Sequence, residues 1–306
     1  MVESKFQFSS SLDGLTLNGT IATPSIGGAL NRGHVLLLGG SGKVDRDETI
    51  PAEHTLTGKP EKLFKQISDA LVLEGFTTFR YDKRGIRGST GDIDRSLWAT
   101  ADRVHLISDA VDASLCFCKN QGIEPSELTI LGHSEGTIIG VECAIRLGSK
   151  VKGLILLGAV ARSFRELIEY QLVSSPERPD ENRNATLEDV ESEISKILNT
   201  QDIFHPDDDK PFAYHRQMLA APANSERIVL VSAPVAIFQG RNDFITPADE
   251  IERFRKDGLT VHTAHVYDGL GHAFSADLNG RPTLGPIESY VLNDIVAVAT
   301  AFTESL

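Results

Sequence analysis

Gly132-His133-Ser134-Glu135-Gly136 is the stretch of this 306-residue chain whose residue types and spacing most directly imply chemistry. It follows the apolar run Leu128-Thr129-Ile130-Leu131 and precedes Thr137-Ile138-Ile139-Gly140-Val141. A serine flanked this way, with a strand before it and a helix after it, sits on a turn too tight for side chains at the two glycine positions. The turn lifts the hydroxyl onto the top of a sheet at the start of a helix. That is the setting for a nucleophile that accepts an acyl group. A serine hydroxyl alone has too high a pKa to attack a carbonyl at neutral pH. It needs a histidine base, and the histidine needs a carboxylate to fix its tautomer and stabilise its charged form.

Both partners lie downstream, in the order serine, acid, histidine. Pro234-Val235-Ala236-Ile237-Phe238 reads as a buried strand followed by Gln239-Gly240-Arg241-Asn242-Asp243, which puts Asp243 just past a strand end. Asp243 could equally cap a turn before Thr246-Pro247, and Asp249 and Asp268 are rival acids. Thr260 to Tyr267 is a second plausible strand, and the loop Gly269-Leu270-Gly271-His272-Ala273-Phe274 follows it. Small neighbours free the His272 ring to project, whereas His262 and His265 fall inside the strand. Ser134, Asp243 and His272 are therefore the expected catalytic set. The oxyanion of a tetrahedral intermediate needs two backbone donors. One is the N–H of Glu135, directly after the nucleophile, and the other comes from the loop after an early strand. Gly39-Gly40-Ser41-Gly42 permits close backbone approach there, and Ser41 is the expected second donor.

These segments together resemble the α/β-hydrolase superfamily, from about Gly33 to the C-terminal helix. Gly-His-Ser-Glu-Gly, Gly-Arg-Asn-Asp (240–243) and Gly-Leu-Gly-His (269–272) match that family's nucleophile, acid and histidine loops in order. The segment from Gly39 to Asp47 resembles an esterase subgroup that reads His-Gly-Ser-Gly-Pro-x-Asp-Arg-Asp. Here Gly39 replaces the His and Lys43 the Pro. Tyr81 to Ser89 resembles the Asp-x-Arg-Gly-x-Gly-x-Ser turn of these hydrolases. The resemblance implies a carboxylesterase-like serine hydrolase. Asp45, Arg46 and Asp47 read as an internal ion-pair cluster before a site for a substrate carboxylate, and Asp82 and Arg84 as turn-stabilising residues.

The elements that must position these residues alternate along the chain. Phe6-Gln7-Phe8 and Leu15 to Ile21 predict antiparallel strands, the second turning at Asn18-Gly19. His34 to Leu38, Thr77 to Tyr81 and Gly153 to Val160 predict buried strands. Lys43 to Lys59 reads as a long loop. Pro60 opens a helix with Leu63, Ile67 and Leu71 on one face, and Ala99 to Gln121 forms another with Val104, Ile107, Val111 and Leu115. The pattern predicts an α/β fold, a mostly parallel sheet with helices on both faces. Residues 161–228 break the rhythm and read as a helical cap inserted into a core of 1–160 and 229–306, with a helical pattern at Leu187, Val190, Ile194 and Leu198. Gly40, His133, Phe212, Tyr214 and Met218 are expected around the substrate pocket.

Net charge −13 and a pI near 5.1 argue against binding nucleic acid or anionic membranes, which need clustered Lys and Arg. No run is long enough to span a membrane and no secretory signal is visible, so a cytoplasmic protein is expected. Cys116, Cys118 and Cys143 read as reduced, and no metal or organic cofactor is expected. The expected partner is a small acyl substrate, with a homodimer left open. Ester cleavage is the leading reading. Lactone, thioester, peptide or carbon–carbon hydrolysis, or a non-hydrolytic use of the pocket, stand beside it, because fold alone does not choose among them.

Overall fold

Short apolar runs become strands, and runs with helical spacing become helices, in the computed structural model. It describes residues 1–25, 31–88, 93–148, 151–175, 184–206, 210–276 and 283–304. Strands β1 (Val2–Ser9) and β2 (Thr16–Thr23) form a hairpin, followed by β3 (Gly33–Leu38). A two-stranded ladder of β4 (Thr49–Ile50) and β5 (Glu61–Lys62) leads into α1 (Leu63–Leu73) and β6 (Phe76–Tyr81). Next come α2 (Arg95–Trp98), α3 (Arg103–Gln121), β7 (Leu128–His133), α4 (Glu135–Arg146) and β8 (Gly153–Leu157). Helices α5 (Phe164–Glu169), α6 (Leu187–Asn199), α7 (Phe212–Ala220) and α8 (Asn224–Ile228) then intervene. The chain ends with β9 (Val235–Gly240), α9 (Glu250–Lys256), β10 (Thr263–Tyr267) and α10 (Ser289–Glu304).

The sheet order is β1-β2-β6-β3-β7-β8-β9-β10. β1 and β2 are antiparallel to their neighbours, and every pairing from β6 to β10 is parallel. This is the α/β-hydrolase fold. Alternate side chains of the central strands enter opposite cores, because successive Cβ atoms point to opposite faces. Leu36, Ile130, Leu156 and Ile237 join the core beneath α3 and α4, with Ile107, Phe117 and Val141. Leu37, Leu131, Ile155 and Phe238 join the core beneath α1 and α10, with Phe64, Ile67, Ile295 and Phe302. A smaller cluster, Ile168, Val190, Ile194, Ile197 and Phe212, holds α5, α6 and α7 together.

Several boundaries differ from the sequence expectations. β2 does not turn at Asn18-Gly19. It runs straight through, pairing Asn18 with Gln7 and Gly19 with Phe6, and the turn lies at Ser10–Gly14 instead. Pro60 precedes β5, so the helix begins at Leu63. The predicted 99–121 helix starts at Arg103, because Asp102 accepts the His105 N–H at 3.0 Å and caps it. Its buried face is Leu106, Ile107, Ala110, Ala113 and Phe117, while Val104 and Leu115 are exposed. In α6, Ile197 rather than Leu198 completes the buried stripe with Val190 and Ile194, and Leu187 is exposed. Ser89, residues 176–182 and Asp207–Asp209, on which parts of the turn and cap expectations rested, lie outside the described residues. Among the described residues no helix is long and apolar enough to cross a membrane. Cys118 and Cys143 are buried, Cys116 is half-buried, and all three are free.

Candidate active site

The parallel strands end in register, and the site grows from their carboxyl ends. Leu38 pairs with Gly132, His133 with Leu157, and Leu157 with Phe238. The loops carrying Gly39–Gly42, Ser134, Gly158, Asp243 and His272 therefore open on one sheet edge, where ligands bind in open α/β sheets.

Ser134 occupies the turn between β7 and α4 with φ +53°, a left-handed conformation costly for a residue with a side chain. Its N–H donates to Leu157 O at 2.9 Å, and its carbonyl accepts from Thr137 N and Oγ1 at 2.9 and 2.6 Å. A Cβ on Gly136 would lie 1.9 Å from Leu38 O, and one on Gly132 2.2 Å from Gly136 O. The turn can be made only with glycine at both positions. Glu135 is the first residue of α4, directly after the serine, so its N–H has no intrahelical partner.

Asp243 is buried and organises its own loop. Its Oδ1 accepts from Ile245 N and Thr246 N at 2.9 Å each, and its Oδ2 from Thr246 Oγ1 at 2.7 Å. The same Oδ2 lies 2.7 Å from His272 Nδ1. Asp243 is thus both a turn residue and the partner of His272. Burial pushes its carboxyl up, but the charge of His272 and the bonds from His272 and Thr246 outweigh burial and hold it below the ordinary aspartate range. The rival acids are engaged elsewhere: Asp249 with Arg162 and Arg253, Asp268 with Arg241, both largely exposed. His265 stacks on Phe238 with ring centroids 4.7 Å apart, and His262 packs edge-on to Phe302. The His272 ring lies over Gly158, where an added Cβ would come within 3.0 Å of it. Among the described residues Ser134 Oγ makes no hydrogen bond, so the serine–histidine contact is open here. General-base contacts commonly tighten only when substrate is bound.

A cavity of about 490 Å³ lies above this edge. Ser41, Gly42, Ser134, Glu135 and Thr246 line its floor, and Phe164, Leu167, Tyr214 and Met218 from α5 and α7 line its roof. Tyr214 and Met218, expected at the substrate pocket, lie on the cavity lining. Phe212, expected at the pocket, faces instead into the small cluster of α5, α6 and α7. Gly40 and His133 lie beneath the floor rather than on it. His133 is buried, with Nδ1 2.8 Å from Glu48 Oε1 and Nε2 3.1 Å from the His272 carbonyl oxygen. Burial disfavours its charged form, but the Glu48 carboxylate and the two acceptors prevail and raise its pKa. Asp45, Arg46 and Asp47 pair with other parts of the protein rather than with one another: Arg46 with Asp82, Asp47 with Arg80 and Lys62, and Asp45 accepts from Thr49.

Three residues that sequence reasoning did not assign complete the site. Glu48, buried, accepts the Gly40 N–H at 2.7 Å as well as His133. Lys83 and Lys210 both pair with the buried Glu135 carboxylate, at 2.5 and 2.8 Å, and Lys210 lies 4.0 Å above the Tyr214 ring. Nothing local in the sequence marks them, since each reaches a partner dozens of residues away. Burial works against the Glu135 charge, but the two ammonium groups overcome it and hold its pKa at about 2, from an ordinary 4.5. The folded value lies below the unfolded one, so this carboxylate stabilises the fold above about pH 4.5, and the contribution is lost as pH falls toward 2. Glu135→Gln should therefore melt below the wild type at pH 7, with the gap closing on acidification through that window. Parallel melting curves against pH would contradict the assignment.

Comparison with known proteins agrees with this architecture. A family model described as the alpha/beta hydrolase fold matches residues 52–200, slightly under half of the chain. Esterase EstD of Thermotoga maritima is 33% identical over 138 residues, 45% of this chain. That match spans 29% of EstD's own length. Among solved structures, the esterase domain of a Rhodothermus marinus protein superposes with a TM-score of 0.59 at 16% identity, covering 99% of this chain and 100% of that one. Est1E from Butyrivibrio proteoclasticus superposes with a TM-score of 0.62 at 16% identity, covering 97% and 98%.

Proposed function

We propose that this protein is a serine hydrolase that cleaves a carboxylic ester through Ser134, His272 and Asp243. The observation that carries the reading is the convergence of a strained Ser134 elbow and a His272 paired with a buried Asp243 on one sheet edge, under a cavity of mixed apolar and polar lining. The kinship with esterase EstD over 45% of the chain supports it. In this reading Ser134 Oγ attacks the acyl carbonyl carbon and passes its proton to His272 Nε2. Asp243 holds the other ring N–H, fixing the tautomer and stabilising the imidazolium. The carbonyl oxygen becomes an oxyanion that accepts from the Glu135 and Ser41 N–H groups, each worth about 3 kcal/mol in the transition state. Collapse breaks the C–O bond to the alcohol, which leaves with the proton from His272. Water then attacks the acyl-enzyme with His272 as base, releasing the acid and restoring Ser134.

Residues 161–228 act in this reading as the cap that selects the substrate. A panel of p-nitrophenyl esters of increasing acyl length tests both the activity and the cap. Wild-type enzyme should hydrolyse the short and medium members with saturation. Tyr214→Ala and Met218→Ala should move the optimum toward longer chains, because both side chains bound the cavity. Phe212→Ala should keep the wild-type ranking and lower stability by about 3–5 kcal/mol, the usual cost of emptying a buried aromatic site. Wild-type ranking in all three variants would remove the cap from substrate selection, and no turnover across the panel would overturn the esterase reading.

A further inference from the structure

We propose that Lys83 is a positioning residue that aims the second oxyanion donor, a role that rests on the serine-hydrolase reading above. The relevant peptide joins Gly40 to Ser41. Its carbonyl oxygen belongs to Gly40 and its N–H to Ser41. The Lys83 ammonium donates to that oxygen and also to Glu135 Oε2 at 2.5 Å. In a trans peptide the C=O and N–H point in opposite directions, and no peptide bond among the described residues is cis. Fixing the Gly40 oxygen on Lys83 therefore turns the Ser41 N–H to the opposite side, and Ser41 lines the cavity with Ser134. The loop runs close beside the nucleophile: a Cβ added at Gly40 would fall 3.4 Å from Ser134 Cβ.

Two further features make this a built arrangement. The preceding peptide is held as well, since the Gly40 N–H donates to Glu48 Oε1 at 2.7 Å. Two charged side chains, the buried Glu48 and the half-buried Lys83, thus set the peptide planes on either side of Gly40, which a flexible Gly-Gly-Ser-Gly loop cannot set for itself. Lys83 also joins the two halves of the oxyanion hole, because its second partner is the carboxylate of Glu135, whose backbone N–H is the other donor. A cation on a carbonyl oxygen further polarises the peptide and strengthens its N–H as a donor. Lys210 pairs with the other carboxylate oxygen of Glu135, Oε1, at 2.8 Å.

The test compares K83M and K83R with the wild type on p-nitrophenyl butyrate, together with inhibition by an alkyl trifluoromethyl ketone, which becomes a tetrahedral oxyanion on Ser134. Circular dichroism and melting temperature report folding. K83M should lower kcat by roughly ten- to a hundredfold with KM changed less than about threefold, and weaken the ketone by the same factor as kcat/KM, since a misaimed donor is felt only by the oxyanion. K83R, which keeps the charge, should recover kcat to within about tenfold of the wild type. If K83M does not fold, K83R and the neutral K83Q are compared with each other, and the charged variant must be the faster by that factor. Full kcat and full ketone affinity in a neutral variant would overturn the proposal, whatever its melting temperature. Equal losses in substrate and ketone binding would also overturn it. Covalent labelling of wild-type Ser134 by a fluorophosphonate tests the underlying reading separately: an enzyme that labels there, yet is indifferent to K83M, loses only the role of Lys83.

Discussion

Ser134→Ala should lower ester turnover by about four to six orders of magnitude, the cost of removing the nucleophile from a group of residues that act as a unit. The fold should survive. Within the described residues the Ser134 Oγ holds nothing in place, because the turn is made by backbone bonds to Leu157 and Thr137. Alanine meets the same φ of +53° that serine already tolerates, so no new strain enters. A small residual rate from the oxyanion donors and the cavity should remain. Melting temperature, steady-state kinetics and fluorophosphonate labelling are the readouts. The variant should be folded, nearly inactive and unlabelled. A folded variant with activity within tenfold of the wild type would end the serine mechanism.

Asp243→Asn should cost about four orders of magnitude in kcat, with a small change in KM. The reason is the proton on the histidine. Asp243 Oδ1 accepts two backbone N–H groups, from Ile245 and Thr246. An asparagine in that place keeps its carbonyl oxygen on those donors and turns its NH₂ toward His272 Nδ1. The ring must then accept at Nδ1, so it carries its proton at Nε2 and cannot take one from Ser134. Stability should fall as well, since Thr246 Oγ1 loses a carboxylate partner. Asp249→Asn and Asp268→Asn are the controls. Both carboxylates are exposed and paired with arginines, and neither variant should change kcat by more than about twofold. An active Asp243→Asn, or an equally damaged control, would move the acid elsewhere.

The part of the site legible in the sequence is the part made by short stretches of chain. Gly132 to Gly136 announces its turn because sterics at two glycines and one serine decide it locally. Asp243 and His272 could be placed at strand ends because apolar runs such as Val235 to Phe238 have few other ways to be buried. The fold follows for the same reason: strands alternating with helices leave a parallel sheet as the economical arrangement. Helix faces were less legible. Val104, Ile107, Val111 and Leu115 make as good a stripe as Leu106, Ala110, Ala113 and Phe117. Only the sheet beneath α3 chose the second, by burying Phe117 and leaving Val104 and Leu115 in solvent. Phe212, Tyr214 and Met218 could not be sorted within one short helix until its neighbours showed which side faced the cavity.

What the tertiary structure alone decided is electrostatic and long in sequence separation. The sequence favours Asp243, just past a strand end, but leaves Asp249 and Asp268 as rival acids. Burial and a 2.7 Å contact with His272 single out the first. Glu48 meets His133 across 85 residues, Lys83 meets Gly40 across 43, and Lys210 meets Glu135 across 75. A charged side chain in a sequence reads as solvated surface, because isolated charges avoid burial. It can be buried only where the fold delivers an opposite charge or a carbonyl to it. That delivery is a property of how distant loops meet at the sheet edge, which is why the residues proposed to bear the chemistry could be named from sequence and the charges packed around them could not.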